Sequence, residues 1–246
     1  MIRSFTTEQL MDRWEDRRAI QNTMVRFISQ DYLFRREKDM YDTYWSKAED
    51  VSLGVNEGYY AGAEAVKGYY AAIDRRTKLE SELIQKKYPT RLGGKTEEEV
   101  YGVGVLHARP LDTPVIEIAG DGQTAKGMWS IHGMNADLTP AGQVSYWEWA
   151  KVAVDFVKED GVWKVWHMLY LRDLYVPCGE SWADAAEKKD YPVDPDYAAL
   201  QDFSFPAPNV PKTLRETYHN FRRAPEGPDY PEPYETFSET FTYGVQ

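Results

Sequence analysis

The sequence predicts an α+β fold, with helices packed on one antiparallel sheet and an extended arm behind it. Three observations carry this. Apolar residues recur at helical spacing through the first part of the chain. They switch to a period of two between Val100 and Tyr175. The two patterns follow one another and do not alternate as βαβ units would.

Residues 6–34 read as one long amphipathic helix. Leu10, Trp14, Ile20, Met24, Phe27 and Ile28 recur at near-helical spacing with charges between them, and Thr6 with Gln9 makes a capping box. Trp14 is assigned to packing, as is Trp163 further on. The run "FRREKDMYDTYW" is a charged turn into a short helix, "DVSLGV" a short strand, and "NEGYYAG" a turn into a helix from about Ala63 to Arg76. Residues 77–100 are charged and broken by Pro89 and Gly93-Gly94, so they read as an irregular insertion, either a solvated loop or a lid. Strands follow at Val100–Arg109, Pro114–Ala119, Thr124–Met134, Gln143–Lys158 and Val162–Tyr175, with Gly120-Asp121-Gly122 and Glu159-Asp160-Gly161 as hairpin turns.

From residue 176 to 246 the composition shifts, because ten of the fourteen prolines lie there among Tyr and Phe. Such a segment cannot build regular helix or sheet, yet it is too aromatic for a disordered tail. An arm laid over its own domain or a neighbouring subunit is expected, so the chain divides into a domain at 1–175 and an arm at 176–246.

A net charge of −11 argues against nucleic acid and against an anionic membrane surface, both of which need clustered Lys and Arg. Cys178 is the only cysteine, which excludes an internal disulfide and a Cys-based zinc site. The N-terminus has no apolar signal region and no stretch of eighteen apolar residues occurs, so a soluble cytoplasmic protein is expected. Eight Trp and eighteen Tyr suit a protein that holds flat apolar ligands or packs against copies of itself.

Two of the four histidines sit in strand-like runs, His107 in "VLHARP" and His132 in "GMWSIHGMN". Alternation places Met128, Ser130 and Met134 on the face that carries His132, a mixture suited to a ligand wall. An imidazole pair could take and give a proton within one turnover without metal or cofactor, or each ring could be a hydrogen-bonded core residue. A metal held by both histidines with Glu148 or His167 is a further option, though no closely spaced ligand motif supports it and none is expected. Glu148 shares a strand face with Tyr146 and Ala150; it could orient a histidine or act as a base with a raised pKa, or be a solvated charge at a strand edge. Arg36 could hold a phenolate or carboxylate, or pair with Glu37 or Asp39. Tyr59, Tyr60 and Tyr170 could stack on an aryl ring or donate to an oxyanion, or be plain core.

The order of elements resembles the nuclear-transport-factor-2-like superfamily. "DRRAIQNTMVRFI" with "REKDMYDTYW", "YYAGAEAVKGYY" and "KEDGVWKVWHM" resemble the first helix, the Gly-x-Glu turn into a helix and the final hairpin of SnoaL-like domains, over about residues 8–175. The resemblance implies a cone-shaped α+β barrel whose strongly curved sheet encloses a pocket. Within it the chain looks most like cofactor-free lyases of the scytalone dehydratase type, which use two pocket histidines about 25 positions apart, as His107 and His132 are. It also implies that Met168, Tyr170 and Arg172 face the pocket and His167 points away. Aligned on "KDM", Arg35-Arg36 stand where the family has a Tyr-Asp pair, and Ala150 and Val152 replace its polar pair. Diarylpropane lyases are a looser likeness.

These readings converge on a cofactor-independent lyase that releases water or formaldehyde from a hydroxylated aromatic, diaryl or polyketide-like molecule. His107 and His132 would carry proton transfer, with Glu148 and Arg36 in support and Tyr59, Tyr60, Met128, Ser130, Tyr146, Met168, Tyr170 and Arg172 around the substrate. An isomerase or cyclase is a close variant, and a non-catalytic binding or assembly subunit is the rival from another class. A homo-oligomer is expected, a trimer before a dimer.

Overall fold

The computed structural model describes residues 5–32, 38–184, 191–221, 223–224 and 226–246. In chain order its elements are helices α1 (Thr7–Tyr32) and α2 (Lys38–Tyr44), strands β1 (Ser52–Val55) and β2 (Gly58–Ala61), helices α3 (Ala63–Lys87), α4 (Pro89–Leu92) and α5 (Glu97–Val100), and strands β3 (Leu106–Ala108), β4 (Val115–Ile118), β5 (Thr124–Thr139), β6 (Gly142–Glu159), β7 (Val162–Pro177) and β8 (Val210–Pro211). Short 3-10 turns lie at Trp182–Asp184, Pro195–Asp202 and Phe237–Glu239. No helix among the described residues is long and apolar enough to cross a membrane.

The strands form one sheet in the order β3-β5-β6-β7-β1-β2-β8, with β4 also paired to β5. The sheet is curved and unclosed, and the architecture is the cone-shaped α+β type. It is mixed at one seam, because β1 runs parallel to β7 while the other pairs are antiparallel. The β6–β7 turn is set by Asp160-Gly161, at φ 50° and 78°, the paired positive φ values of a tight hairpin that Asp-Gly tolerates.

Side-chain alternation gives the long strands two buried faces. The inner face, with Trp129 and Ile131 of β5, Val152, Val154 and Phe156 of β6 and Val165 and Met168 of β7, packs on Ile20, Met24 and Phe27 of α1, on Tyr44 and Trp45, and on Val66 and Tyr70 of α3. On the outer face Met128, Ala153, Leu169 and Leu171 pack with Tyr59 and with Leu214, Phe241 and Tyr243 of the C-terminal segment.

Several expectations about elements differ from the structure. The strand expected at Val100–Arg109 is reduced to Leu106–Ala108, because Val100 closes α5 and residues 101–104 turn. Helix α3 runs to Lys87, so most of the stretch 77–100 is helical. Leu79, Leu83 and Ile84 form an apolar face against Leu138, Tyr197 and Leu200, and Thr96 with Glu99 builds a capping box for α5. Pro89 begins the next helix at a position where no amide hydrogen is needed. Gly58–Ala61, expected as a turn, is a strand: it folds back antiparallel on β1 over its whole length, with β8 of the arm along its other edge. Trp14 does not pack: it is 68% exposed. The first turns of α1 instead aim Arg13 and Arg17 at the edge strand β4, where they donate to the carbonyls of Ile118, Ala119 and Ile116 at 2.5–3.1 Å.

The C-terminal segment lies over the outer face and covers a buried ion pair. Lys126 Nζ is 2.6 Å from Asp155 Oδ1, and both side chains are fully buried. Asp155 Oδ2 accepts from His167 Nδ1 at 2.9 Å, Thr242 Oγ1 at 3.0 Å and the Tyr243 amide at 2.8 Å. The rings of Phe237, Phe241 and Tyr243 stand 4.4–5.0 Å from the ammonium. Replacing one partner of a buried pair strands the other charge, at a cost of about 3–5 kcal/mol. Asp155→Ala is therefore expected to lower the unfolding free energy by roughly that amount in urea titration, and the double change Lys126→Met/Asp155→Leu by much less.

Candidate functional site

The polar residues of the inner face gather where β3, β5, β6 and β7 run past the helices. At their centre Glu148, a fully buried carboxylate on β6, accepts four hydrogen bonds. Oε2 takes Arg109 Nε at 2.9 Å and Asn135 Nδ2 at 2.7 Å; Oε1 takes Tyr170 OH at 3.0 Å and Arg172 Nε at 2.7 Å. Burial alone would raise its pKa, but the two guanidiniums and these donors overcome that and hold it down at about 2. Glu148 is thus an ionised anchor and not a base.

A second cluster adjoins the first. His107 Nε2 lies 3.0 Å from Asp137 Oδ1, and Tyr175 donates its hydroxyl proton to Asp137 Oδ2. Burial pushes the Asp137 carboxyl up, but its bonds to His107 and Tyr175, with the charge of Arg109, bring it below the ordinary carboxylate value. Burial, and then the facing Asp137 charge, push the Tyr175 phenol up, so it stays protonated. The Tyr175 ring stacks on Tyr146 at 4.5 Å and lies 4.7 Å under the Arg172 guanidinium, joining the two clusters. With Nε2 turned to Asp137, the other ring nitrogen, Nδ1, is buried in the protein.

Strand geometry explains the membership. Residues 107 and 135 are opposed in the β3–β5 register, so residues of odd number on both strands share the inner face. His107, Asn135 and Asp137 meet there, and His132, even-numbered, faces out. On β7 the register slips between Trp149 and Ala150, leaving Asp173 as an extra residue between Arg172 and Leu174. The bulge brings Arg172 and Tyr175 to the same face although they are three residues apart. The side chain of Asn56 fixes the Arg172 backbone, donating to its carbonyl at 2.9 Å and accepting from its amide at 2.8 Å.

Of the residues expected at a site, His107, Tyr146, Glu148, Tyr170 and Arg172 are brought together. Met168 lies in the inner core, and Tyr60 is inner-facing with its hydroxyl given to the Pro206 carbonyl at 2.7 Å. His132, Met128, Ser130 and Tyr59 are on the outer face, away from the cluster. His132 is paired with Asp112 at 2.9 Å, both about half exposed, and sits against Trp149; Met128 and Tyr59 belong to the outer core; Ser130 Oγ faces Lys151 at 3.4 Å. The two histidines therefore share neither a cavity nor a metal. Arg36 lies outside the described residues. No group of three or more His, Cys, Asp or Glu side chains among the described residues is placed to hold a metal ion. Asp137, Tyr175, Asn135 and Arg109 were missed: Asp137 lies beyond the expected end of its strand, and Tyr175 depends on the bulge.

The depressed Glu148 pKa has a sign. A carboxyl held at about 2 in the fold, against an ordinary 4.5, contributes stability that is complete above the ordinary value and is lost as pH falls toward 2. Glu148→Gln is expected to remove that part of the acid limb in a pH series of urea melts, and to destabilise the protein by about 3–5 kcal/mol at pH 7, where two guanidiniums lose their counter-charge.

A family model for the SnoaL-like domain matches residues 12–169. No curated protein matches the chain. Solved structures with a similar fold include a variant of Rv3472 of Mycobacterium tuberculosis, described as of unknown function, at 15% identity over 84% of this chain and 97% of that one, with a TM-score of 0.49. The LinA-type3 hexachlorocyclohexane dehydrochlorinase of Novosphingobium barchaimii LL02 shares 16% identity over 74% and 99% of the two chains, with a TM-score of 0.47. An NTF2-like protein with a cystatin-like fold from Novosphingobium aromaticivorans shares 15% over 68% and 90%, with a TM-score of 0.40. The family match spans well over half of the chain, and the protein belongs to the SnoaL-like family of the nuclear-transport-factor-2-like superfamily.

Proposed function

We propose that this protein is a cofactor-independent lyase acting on a hydroxylated aromatic, diaryl or polyketide-like small molecule. One observation supports this above the others: a histidine held by a half-buried carboxylate, His107–Asp137, joined through Tyr175 to a guanidinium that is 42% exposed at the side chain, Arg172. Asp137 fixes the ring and stabilises the imidazolium that forms when the ring takes a proton from substrate; Nδ1 is covered in the unliganded fold, so substrate binding has to displace the groups over it. For loss of water the C–H pair becomes the new double bond and the C–O bond breaks, the departing oxygen taking the proton back from the imidazolium. For loss of formaldehyde the proton comes from the hydroxymethyl O–H, that pair becomes the C=O of formaldehyde, and the broken C–C pair stays on the substrate carbon, which the imidazolium then protonates. Negative charge developing on a substrate oxygen is met by Arg172, whose orientation the saturated Glu148 secures, and the aromatic walls Tyr146, Tyr170 and Tyr175 suit a flat ring. His107 takes the general acid–base role alone; His132 has none. The active form would be a homo-oligomer, a trimer before a dimer.

The test is product mass spectrometry on metal-free protein offered vicinal aryl-diols, diarylpropanes and hydroxylated naphthols. Loss of water or formaldehyde is expected, falling about 10²–10⁴-fold in His107→Gln and strongly in Asp137→Asn, with His132→Gln close to wild type. Turnover that survives in His107→Gln, or that fails in His132→Gln, would overturn the assignment. Unchanged ligand binding with no product from any compound would favour a binding protein.

A further inference from the structure

Helix α1 is apolar on its outward side as well as its inward one. Ile20, Met24, Phe27 and Ile28 turn to the core, and Arg13 and Arg17 clamp the helix along β4. The side turned to water carries Leu10, Met11, Trp14 and Val25, exposed at 54, 66, 68 and 53%. At about 3.6 residues per turn these four fall within an arc of about 100°, a stripe as wide as those that helices bury. Single apolar residues on a surface mean little, but a stripe of four that includes a tryptophan marks a contact surface.

Charged residues run along one flank of the stripe: Glu8, Glu15, Arg18 and Arg26, all exposed. Glu15 and Arg18 pair along the helix at 2.5 Å, with both side chains more than half exposed. Acid towards the N-terminal end and base towards the C-terminal end give this flank a polarity that a reversed copy of itself complements. A two-fold axis crossing the helix at right angles lays the flank on its own copy with the chain direction reversed. The pairs Leu10 with Val25, Glu8 with Arg26 and Glu15 with Arg18 then share one centre, near residue 17. Apolar and charged pairs therefore select the same register. A parallel pair would hold Glu8 and Arg26 about 27 Å apart along the helix. Two carboxylates beside the stripe also argue against an anionic membrane as its cover.

We propose that the exposed face of α1 is a contact surface between two copies of this chain, packed antiparallel about a two-fold axis. Leu10 and Met11 lie against Val25 of the partner subunit, and Trp14 covers the middle of the seam. Glu8 meets the partner's Arg26, and Glu15 meets the partner's Arg18. Such a contact is isologous, so it joins two chains, or two trimers into a hexamer. Nothing in this assignment depends on the lyase reading.

The test is sedimentation equilibrium of the full chain. The wild type is expected to contain an even number of chains. Trp14→Asp is expected to halve that number, raising the dissociation constant about 10²-fold or more, with an unchanged circular dichroism spectrum because the side chain faces solvent. Arg26→Glu is expected to weaken association about tenfold, and Glu8→Arg/Arg26→Glu to restore it, because the swapped charges still meet across the seam. An odd number of chains, or a number that Trp14→Asp leaves unchanged, overturns the contact. Failure of the double swap to recover what Arg26→Glu loses overturns the antiparallel register. A monomer that binds phosphatidylcholine vesicles, and loses that binding in Trp14→Asp, assigns the stripe to lipid and overturns the proposal.

Discussion

One carboxylate placed out of water in the middle of the sheet constrains everything around the candidate site. Taking Glu148 from solvent costs several kcal/mol unless its lone pairs are filled, and it fills them from three directions: Asn135 on the strand before it, Tyr170 and Arg172 on the strand after it, and Arg109 just past β3. Each donor must be at one register position to reach it. The anchored Arg172 then lies over Tyr175, Tyr175 bonds to Asp137, and Asp137 holds His107. The basic nitrogen of the proposed chemistry is thus the last link of a chain that begins at a residue unable to act as a base itself.

Parity decides which residues belong to that chain, and it explains what was legible in the sequence. The long strands, the Asp-Gly hairpin and the first helix followed from period and turn chemistry, because those signals are local. Glu148, Tyr146, Tyr170 and Arg172 were readable as inward candidates for the same reason. The pairing of His107 with His132 was not a local question. Their separation of 25 matches a pattern of relatives, but in this register an odd separation sends them to opposite faces. Tyr175 was invisible to alternation, since a bulge shows in the sequence only once its partner strand is known. The extent of α3 was missed because the helix is stabilised by residues far along the chain, Tyr197 and Leu200; β2 is a local hairpin partner of β1, but a strand of four residues is too short for its period to stand out from the turn beside it.

The outer face carries the complementary constraint. Lys126 and Asp155 oppose one another across β5 and β6 and would face water if the sheet ended at its own edges. They are dry because Phe237, Phe241, Thr242 and Tyr243 close over them, with the Tyr243 amide and the Thr242 hydroxyl completing the coordination of Asp155. The change of composition near residue 176 therefore marks a change in how the chain is built, from paired strands to side-chain and backbone clasps, and not an end to what the fold needs.

Both faces solve the same problem in different ways, and the difference bears on function. On the outer face the buried charge is sealed by aromatic rings and three donors to one oxygen, an arrangement with no room for exchange. On the inner face the fully buried anchor is Glu148, while Arg172, Asp137 and His107 keep part of their surface open, at 42%, 26% and 18% of the side chain. A charge network that is saturated at its base and partly open at its rim holds its outer groups in place; Arg172 is the most exposed of them, while Nδ1 of His107 is covered. Those rim groups are the ones a substrate oxygen and a transferred proton require, which is why the chemistry is assigned to the concave side of the sheet.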